Sequence, residues 1–276
     1  MGASLQHGLA EFWAHLSYVY VIAGLGVGFI VGMTGVGGGS LMTPILLHFG
    51  IVPMNAVGTD LLYAAITKGN GVWVHQKKRN VDWSITLRLA CGSIPAAVLT
   101  LVGLRIFKAH SHGHAANDII KFSLGIALLL TSVAILFKQA LLNWSHRNDV
   151  IFTRMSEKQR HVATVVIGFA LGVIVSITSI GAGALGTMAL FLVYPLLPTS
   201  KLVGTEIAHA VPLTLIAGLG HASAGNVDFM LLANLLVGSL PGIWLGSHTA
   251  GAVSDKYLRP ALAAMLVYAG VKLLLK

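Results

Sequence analysis

Long apolar runs separated by short polar punctuation set the rhythm of the chain. Segments near 55–75, 84–107, 119–139, 203–221, 229–250 and 258–275 approach or exceed the roughly 20 apolar residues that a helix needs to cross a bilayer. Strand-like alternation is absent, which argues against a transmembrane β-barrel. One stretch departs from this rhythm. Ser17 to Val52 carries no Asp, Glu, Lys or Arg, yet it is interrupted by "TGVGGGS", residues 34–40. Its flanks, 17–33 and 40–52, are short for complete spans at a rise of about 1.5 Å per residue, so two partial helices meeting inside the membrane are expected.

Composition turns the pattern into a class. With 55% hydrophobic and 10% charged residues and a mean hydropathy of +0.81, the chain cannot hide its apolar side chains in a water-soluble core. An all-α integral membrane protein is expected, a polytopic helical bundle in the cell (inner) membrane with lipid as a partner. The net charge of +9 raises nucleic acid as a partner. The basic residues, however, lie in short loops flanking apolar spans, which positive-inside topology explains, and no nucleic acid is expected. Cys91, the lone cysteine, cannot pair within the chain or build a metal site and reads as a small core residue. No Lys or Arg precedes Lys68, so a cleavable signal peptide is not expected. His110, His112 and His114 in "HSHGH" read as a solvated external loop rather than a metal site.

The chain is also written twice. At an offset of 144, Gly24, Gly28, Thr34, Gly37 and Gly39 fall on Gly168, Gly172, Thr178, Gly181 and Gly183, which pairs "TGVGGGS" with "TSIGAGA". At an offset of 146, "GTD" at 58–60 falls on "GTE" at 204–206, "NVDW" at 80–83 on "NVDF" at 226–229, and "GSIP" at 92–95 on "GSLP" at 238–241. The repeats occupy 17–139 and 162–276, with a basic cytoplasmic linker over 140–161. "HQKKRN" in the first half is strongly basic, whereas its counterpart "HASAGN" has no Lys or Arg. The same loop therefore faces opposite sides in the two halves, the signature of two inverted repeats. Each half then consists of a Gly-interrupted helical hairpin plus three transmembrane helices. Both termini are placed outside.

Unwound backbone at membrane depth is tolerated where it lines a cavity, and the start of the following half-helix offers N–H groups and a partial positive charge to an anion. Paired breaks in two halves point to a midplane substrate site. Its candidates are Thr34, Gly35, Gly37, Gly38, Gly39 and Ser40 with Thr178, Ser179, Gly181 and Gly183. Close packing through small residues is the competing role for such glycines. A nucleotide loop is excluded: "GVGGGS" lacks the last glycine of GxGxxG, no strand precedes it, and there is no Walker lysine, so no cofactor is expected.

Ionisable groups inside spans are costly and tend to be functional. Asp60 and Lys68 lie in "GTDLLYAAITK", Glu206 and His209 in "GTEIAHAVP". Glu206 and His209 share a helical face and can pass a proton between them; Asp60 reads either as a proton carrier or as a helix cap after Thr59. Lys68 contacts substrate or a carboxylate, or snorkels towards the basic loop. Asn80, Asp82, Asn226 and Asp228 read as helix caps, and Pro95 and Pro241 as kinks.

Together, the GxGGG stretch, the "GT"-acidic motif, the basic loop ending in "NVDW" and the "GSIP" span, each with a repeat partner, resemble the TauE/SafE sulfite exporter family over about 20–275. The resemblance implies a secondary transporter of a small sulfur-containing anion, sulfite or a sulfonate such as sulfoacetate, with no enzymatic activity. Protons are the candidate coupling ion. Oligomeric state is left open, a homodimer being one arrangement. A passive anion channel is the alternative. An intramembrane enzyme ranks lower, because Cys91 and His209 lie on non-corresponding spans without an evident third partner.

Overall fold

A computed structural model describes residues 17–34, 39–110, 114–147, 155–249 and 255–275. Among them are ten helices and no strand: α1 Tyr18–Thr34, α2 Gly39–His48, α3 Pro53–Lys77, α4 Trp83–His110, α5 His114–Arg147, α6 Glu157–Thr178, α7 Ala184–Val193, α8 Thr199–Ser223, α9 Phe229–His248 and α10 Asp255–Leu274. The repeat makes α1 equivalent to α6, α2 to α7, and so on to α5 and α10. Five of the described helices contain stretches long and apolar enough to cross a membrane: Trp83–Ala109, Asp118–Phe137, Glu157–Thr178, Thr199–Ser223 and Phe229–His248. A helix satisfies its own backbone in lipid, which is why apolar segments of this length adopt it.

Lipid tails are as apolar as leucine, so helices in a membrane associate through close packing rather than through the hydrophobic effect. Glycines at every fourth position provide that closeness here. A Cβ on Gly24, Gly28 or Gly32 of α1 would fall 2.3, 2.4 or 2.4 Å from the carbonyl oxygens of Leu235, Ser239 and Ile243 on α9. Gly238, Gly242 and Gly246 of α9 approach α1 in the same way. The rising register makes this pair parallel. Its counterpart joins α6 to α4, where a Cβ on Gly168 or Gly172 would lie 2.2 or 2.4 Å from the carbonyl oxygens of Leu89 and Ser93. Both seams therefore cross between the halves.

At the centre, α3 and α8 pack with the start of each beside the end of the other. The hydroxyl of Thr59 accepts from the Asp228 N–H at 3.1 Å, and that of Thr205 accepts from the Asp82 N–H at 2.9 Å. Gly58 lies against the Asn226 carbonyl and Gly204 against that of Asn80. The turns that follow α3 and α8 are built alike: Asn80 N–H donates to His75 O and Asn226 N–H to His221 O, both at 2.9 Å. Although α3 is polar for a span, it is buried from Pro53 to Lys68 apart from Asn55 and Ile66, because the other helices screen it.

Some expectations hold and others change. The two halves differ before their breaks: α1 has 17 residues, whereas α6 has 22 and is long and apolar enough for a full span. Both ends of the 140–161 stretch are helical, up to Arg147 and from Glu157. Asp228 caps α9 by accepting from Leu231 N–H at 2.9 Å, and Asp82 accepts from Ser84 and Ile85 N–H at 3.2 and 3.3 Å ahead of α4. Asn226 is no cap; its side chain accepts from Lys108 at 3.1 Å. Cys91 is exposed on α4 rather than part of the core.

Candidate functional site

The first break lies between the end of α1 at Thr34 and the start of α2 at Gly39. Gly35, Gly37 and Gly38 are outside the described residues, as are the side chains of Thr34 and Ser40, and the loop residue His112. The second break is described throughout. Ser179 adopts the left-handed conformation at φ 58°, and Gly181 and Gly183 have φ values of 116° and 146°. These angles unwind the chain in a way that side chains resist, so the glycines are required by the backbone here. The Thr178 hydroxyl donates to Ile174 O at 2.6 Å and accepts from Ile180 N–H at 3.1 Å. It therefore secures the turn. Ser179 instead turns its hydroxyl to the Asp60 carboxyl without forming a hydrogen bond of good geometry.

Four ionisable side chains gather beside this break. Asp60, Lys68, Glu206 and His209 are 0, 8, 1 and 0% exposed. Asp60 lies a full two turns inside α3 and accepts from Thr43 on α2, so it is not a cap. The Lys68 ammonium donates to the carbonyl of Ala182 within the break instead of snorkelling outward. It lies in the electrostatic field of both Asp60 and Glu206, without a direct ion pair to either. The backbone N–H of Gly183, at the mouth of α7, is directed at the Glu206 carboxyl. A Cβ on Gly186 would meet Glu206 Oε1 at 2.8 Å. The positive end of α7, where an incoming anion was expected, thus faces a carboxyl group of the protein itself.

Glu206 and His209 do not bond to each other. His209 Nε2 pairs with Ser93 Oγ at 2.8 Å. The equivalent position to His209 is Tyr63, fully buried, with Ser239 as its neighbour. Ser93 and Ser239 are the serines of "GSIP" and "GSLP", so the repeat motif carried the signal although the serines were not singled out. Thr43 and Tyr63 were also missed. Asp60 Oδ1 and Glu206 Oε1 remain buried without a hydrogen-bond partner. In apolar surroundings an unpaired carboxyl oxygen is expensive, and such groups mark places where a proton or ligand arrives. Among the described residues no group of three or more His, Cys, Asp or Glu could hold a metal ion.

A helical bundle in which five of the described helices are long and apolar enough to cross a membrane, with ionisable groups buried at a helix break, is a multi-pass membrane protein of the transporter class. The family model described as "Sulfite exporter TauE/SafE" matches residues 20–273. The chain belongs to that family. It is 40% identical over 260 residues to "Probable membrane transporter protein YjnA" of Bacillus subtilis, covering 94% of this chain and all of that one. It is 25% identical to the same organism's "Probable membrane transporter protein YdhB" (87% of this chain, 96% of that one). With "Probable membrane transporter protein MJ0441" of Methanocaldococcus jannaschii the identity is 26% (92% and 94%). No solved structure matches the chain. Family and relatives indicate a membrane transporter rather than an enzyme.

Proposed function

We propose that the protein is a secondary carrier that moves a small sulfur oxyanion, sulfite or a sulfonate such as sulfoacetate, by alternating access through the cluster between the helix breaks. The observation that carries this reading is Lys68, the one buried cation among the described residues, resting on the Ala182 carbonyl within reach of Asp60 from its own half and Glu206 from the other. The sulfur is taken from the family. The reciprocal contacts of Thr59 with Asp228 and Thr205 with Asp82 support an inverted arrangement of the halves, and such repeats rock against each other around a fixed site.

Counting charges suggests how coupling works. With Asp60 and Glu206 ionised and Lys68 protonated, the cluster has one net negative charge and repels an anion. One proton on either carboxyl neutralises it. An oxyanion then takes the Ala182 carbonyl's place on Lys68, helped by Ser179 and by the Gly183 N–H as Glu206 withdraws. The anion and the proton therefore travel together. In this reading the protein sits in the inner membrane with "HQKKRN" in the cytoplasm and the termini outside.

Proteoliposomes test the coupling. Glu206→Gln holds the position in a form that cannot cycle a proton. It is expected to exchange labelled sulfoacetate or sulfite for unlabelled anion but no longer to concentrate it under an imposed pH gradient. Accumulation at the unmodified level would show that Glu206 is not the proton carrier. Unmodified protein that only equilibrates the anion would instead define a channel.

A further inference from the structure

A cavity of about 530 Å³ opens between the last turns of α4 and α8, beside the start of α3, and belongs to no part of the cluster above. Along its α4 wall, Val98, Leu101, Val102, Arg105 and Lys108 recur at helical spacing and form one stripe. The stripe is apolar at depth and turns basic at Arg105, about 10 Å further along the axis at 1.5 Å per residue. Val98, Val102 and Arg105 are exposed, so the groove opens sideways towards lipid. Ile216 and Met54 continue the apolar wall, and His221 and Asn226 form the polar end. No Asp or Glu lines the cavity. Lys108 donates to the Asn226 amide oxygen, and His221 Nδ1 is buried without a partner.

We propose that this groove binds one phospholipid with an anionic headgroup, its phosphodiester held by Arg105 and Lys108 and an acyl chain lying along Val98, Leu101 and Val102. A soluble oxyanion finds the cations but has no use for the long apolar wall below them. A basic residue that merely snorkels needs no cavity. Apolar depth, cationic rim and absent carboxylates match a lipid in the order in which a bilayer presents it. His221 gives the bound lipid a neighbour of consequence, since its Nε2 pairs at 2.9 Å with the carbonyl of Ser176, in the last turn of α6 just before the second break.

The test is a thermal-shift titration of the purified full chain with dioctanoyl phosphatidylglycerol, dioctanoyl phosphatidylcholine, glycerol phosphate and sulfoacetate. The phosphatidylglycerol is expected to raise the melting temperature at lower concentration than the phosphatidylcholine. In Arg105→Gln/Lys108→Gln its half-saturation should rise by on the order of 30-fold, the weight of two basic residues at a charged lipid. Val102→Trp, which fills the groove and keeps both cations, should also weaken it. Equal responses to the two lipids, or unchanged responses in both variants, would overturn the proposal. A glycerol phosphate or sulfoacetate shift that disappears in the double variant would assign the groove to a free oxyanion and overturn it as well. The readout is independent of transport, so failure of the carrier reading leaves it standing.

Discussion

Removing the buried cation is the sharpest perturbation available. In Lys68→Met an aliphatic chain of similar length replaces an ammonium that is 92% shielded and bonded to the Ala182 carbonyl. Two carboxyl groups, 0 and 1% exposed, then lose the one buried cation among the described residues. One unit charge farther away than a direct ion pair contributes up to about 4 kcal/mol at an effective dielectric near 20. Breaking a buried charge arrangement by deleting one partner usually costs about 3 to 5 kcal/mol. The two estimates agree, so a loss of about 3 to 5 kcal/mol is expected, measured by reversible unfolding in mixed micelles. Adding Asp60→Asn and Glu206→Gln removes the orphaned charges and should restore more than half of the loss, a coupling that a double-mutant cycle isolates. A change below about 1 kcal/mol in Lys68→Met would refute the reasoning, because in that case the carboxyl groups do not depend on Lys68.

Three other outcomes follow from contacts described above. Gly28→Leu sets side-chain atoms where Ser239 O is already 2.4 Å from a Cβ and should remove folded protein from the membrane, whereas Gly26→Ala, with nothing within 4 Å, should leave its level unchanged, both read by fluorescence size-exclusion of a tagged chain. Gly186→Ala places a methyl group 2.8 Å from Glu206 Oε1; anion binding is expected to fall at least tenfold while the folded yield is retained, and wild-type binding would mean that Glu206 moves aside freely. In a Cys91→Ser background, needed because Cys91 is exposed, Ser223→Cys should react with an impermeant thiol reagent added outside intact cells and Lys78→Cys should not; the reverse pattern would invert the proposed topology.

Features legible in the sequence were those that violate the expectations of a membrane span. Consecutive glycines in an apolar run announced the first break and the repeat carried it to the second, while Asp60, Lys68 and Glu206 stood out because charge at that depth is costly. Thr43, Ser93 and Ser239 did not, since a hydroxyl in an apolar helix resembles any other small packing residue until its partner is known. Gly24 and Gly28 were matched to Gly168 and Gly172 by the repeat, but neither that match nor their spacing names the helix on the other side. Cys91 was misplaced for a related reason. In a bilayer both faces of a helix meet apolar surroundings, so hydrophobicity alone cannot tell core from lipid. Asp60 was open between cap and interior because the true start of α3, at Pro53, lies a full seven residues earlier, beyond a Thr-Asp pair that mimics a cap.

The seam between α1 and α9 has a consequence for how the protein is made. By Thr34 the chain has completed one face of that seam, and the partner face begins only at Phe229. At about 5 to 20 residues per second, the ribosome takes roughly 10 to 40 s to supply the intervening segment. During that time three glycines' worth of bare backbone on α1 faces lipid or a holding factor instead of its partner. The same delay applies to neither α3 nor the α4–α6 pair to the same extent, whose members lie nearer in the chain. Pairing, as distinct from insertion, therefore begins in the middle of the protein, and α1 is among the last of the described helices to find its partner. A fragment halted before residue 229 should be long-lived in the membrane only if quality-control proteases that recognise unpaired glycine faces are absent.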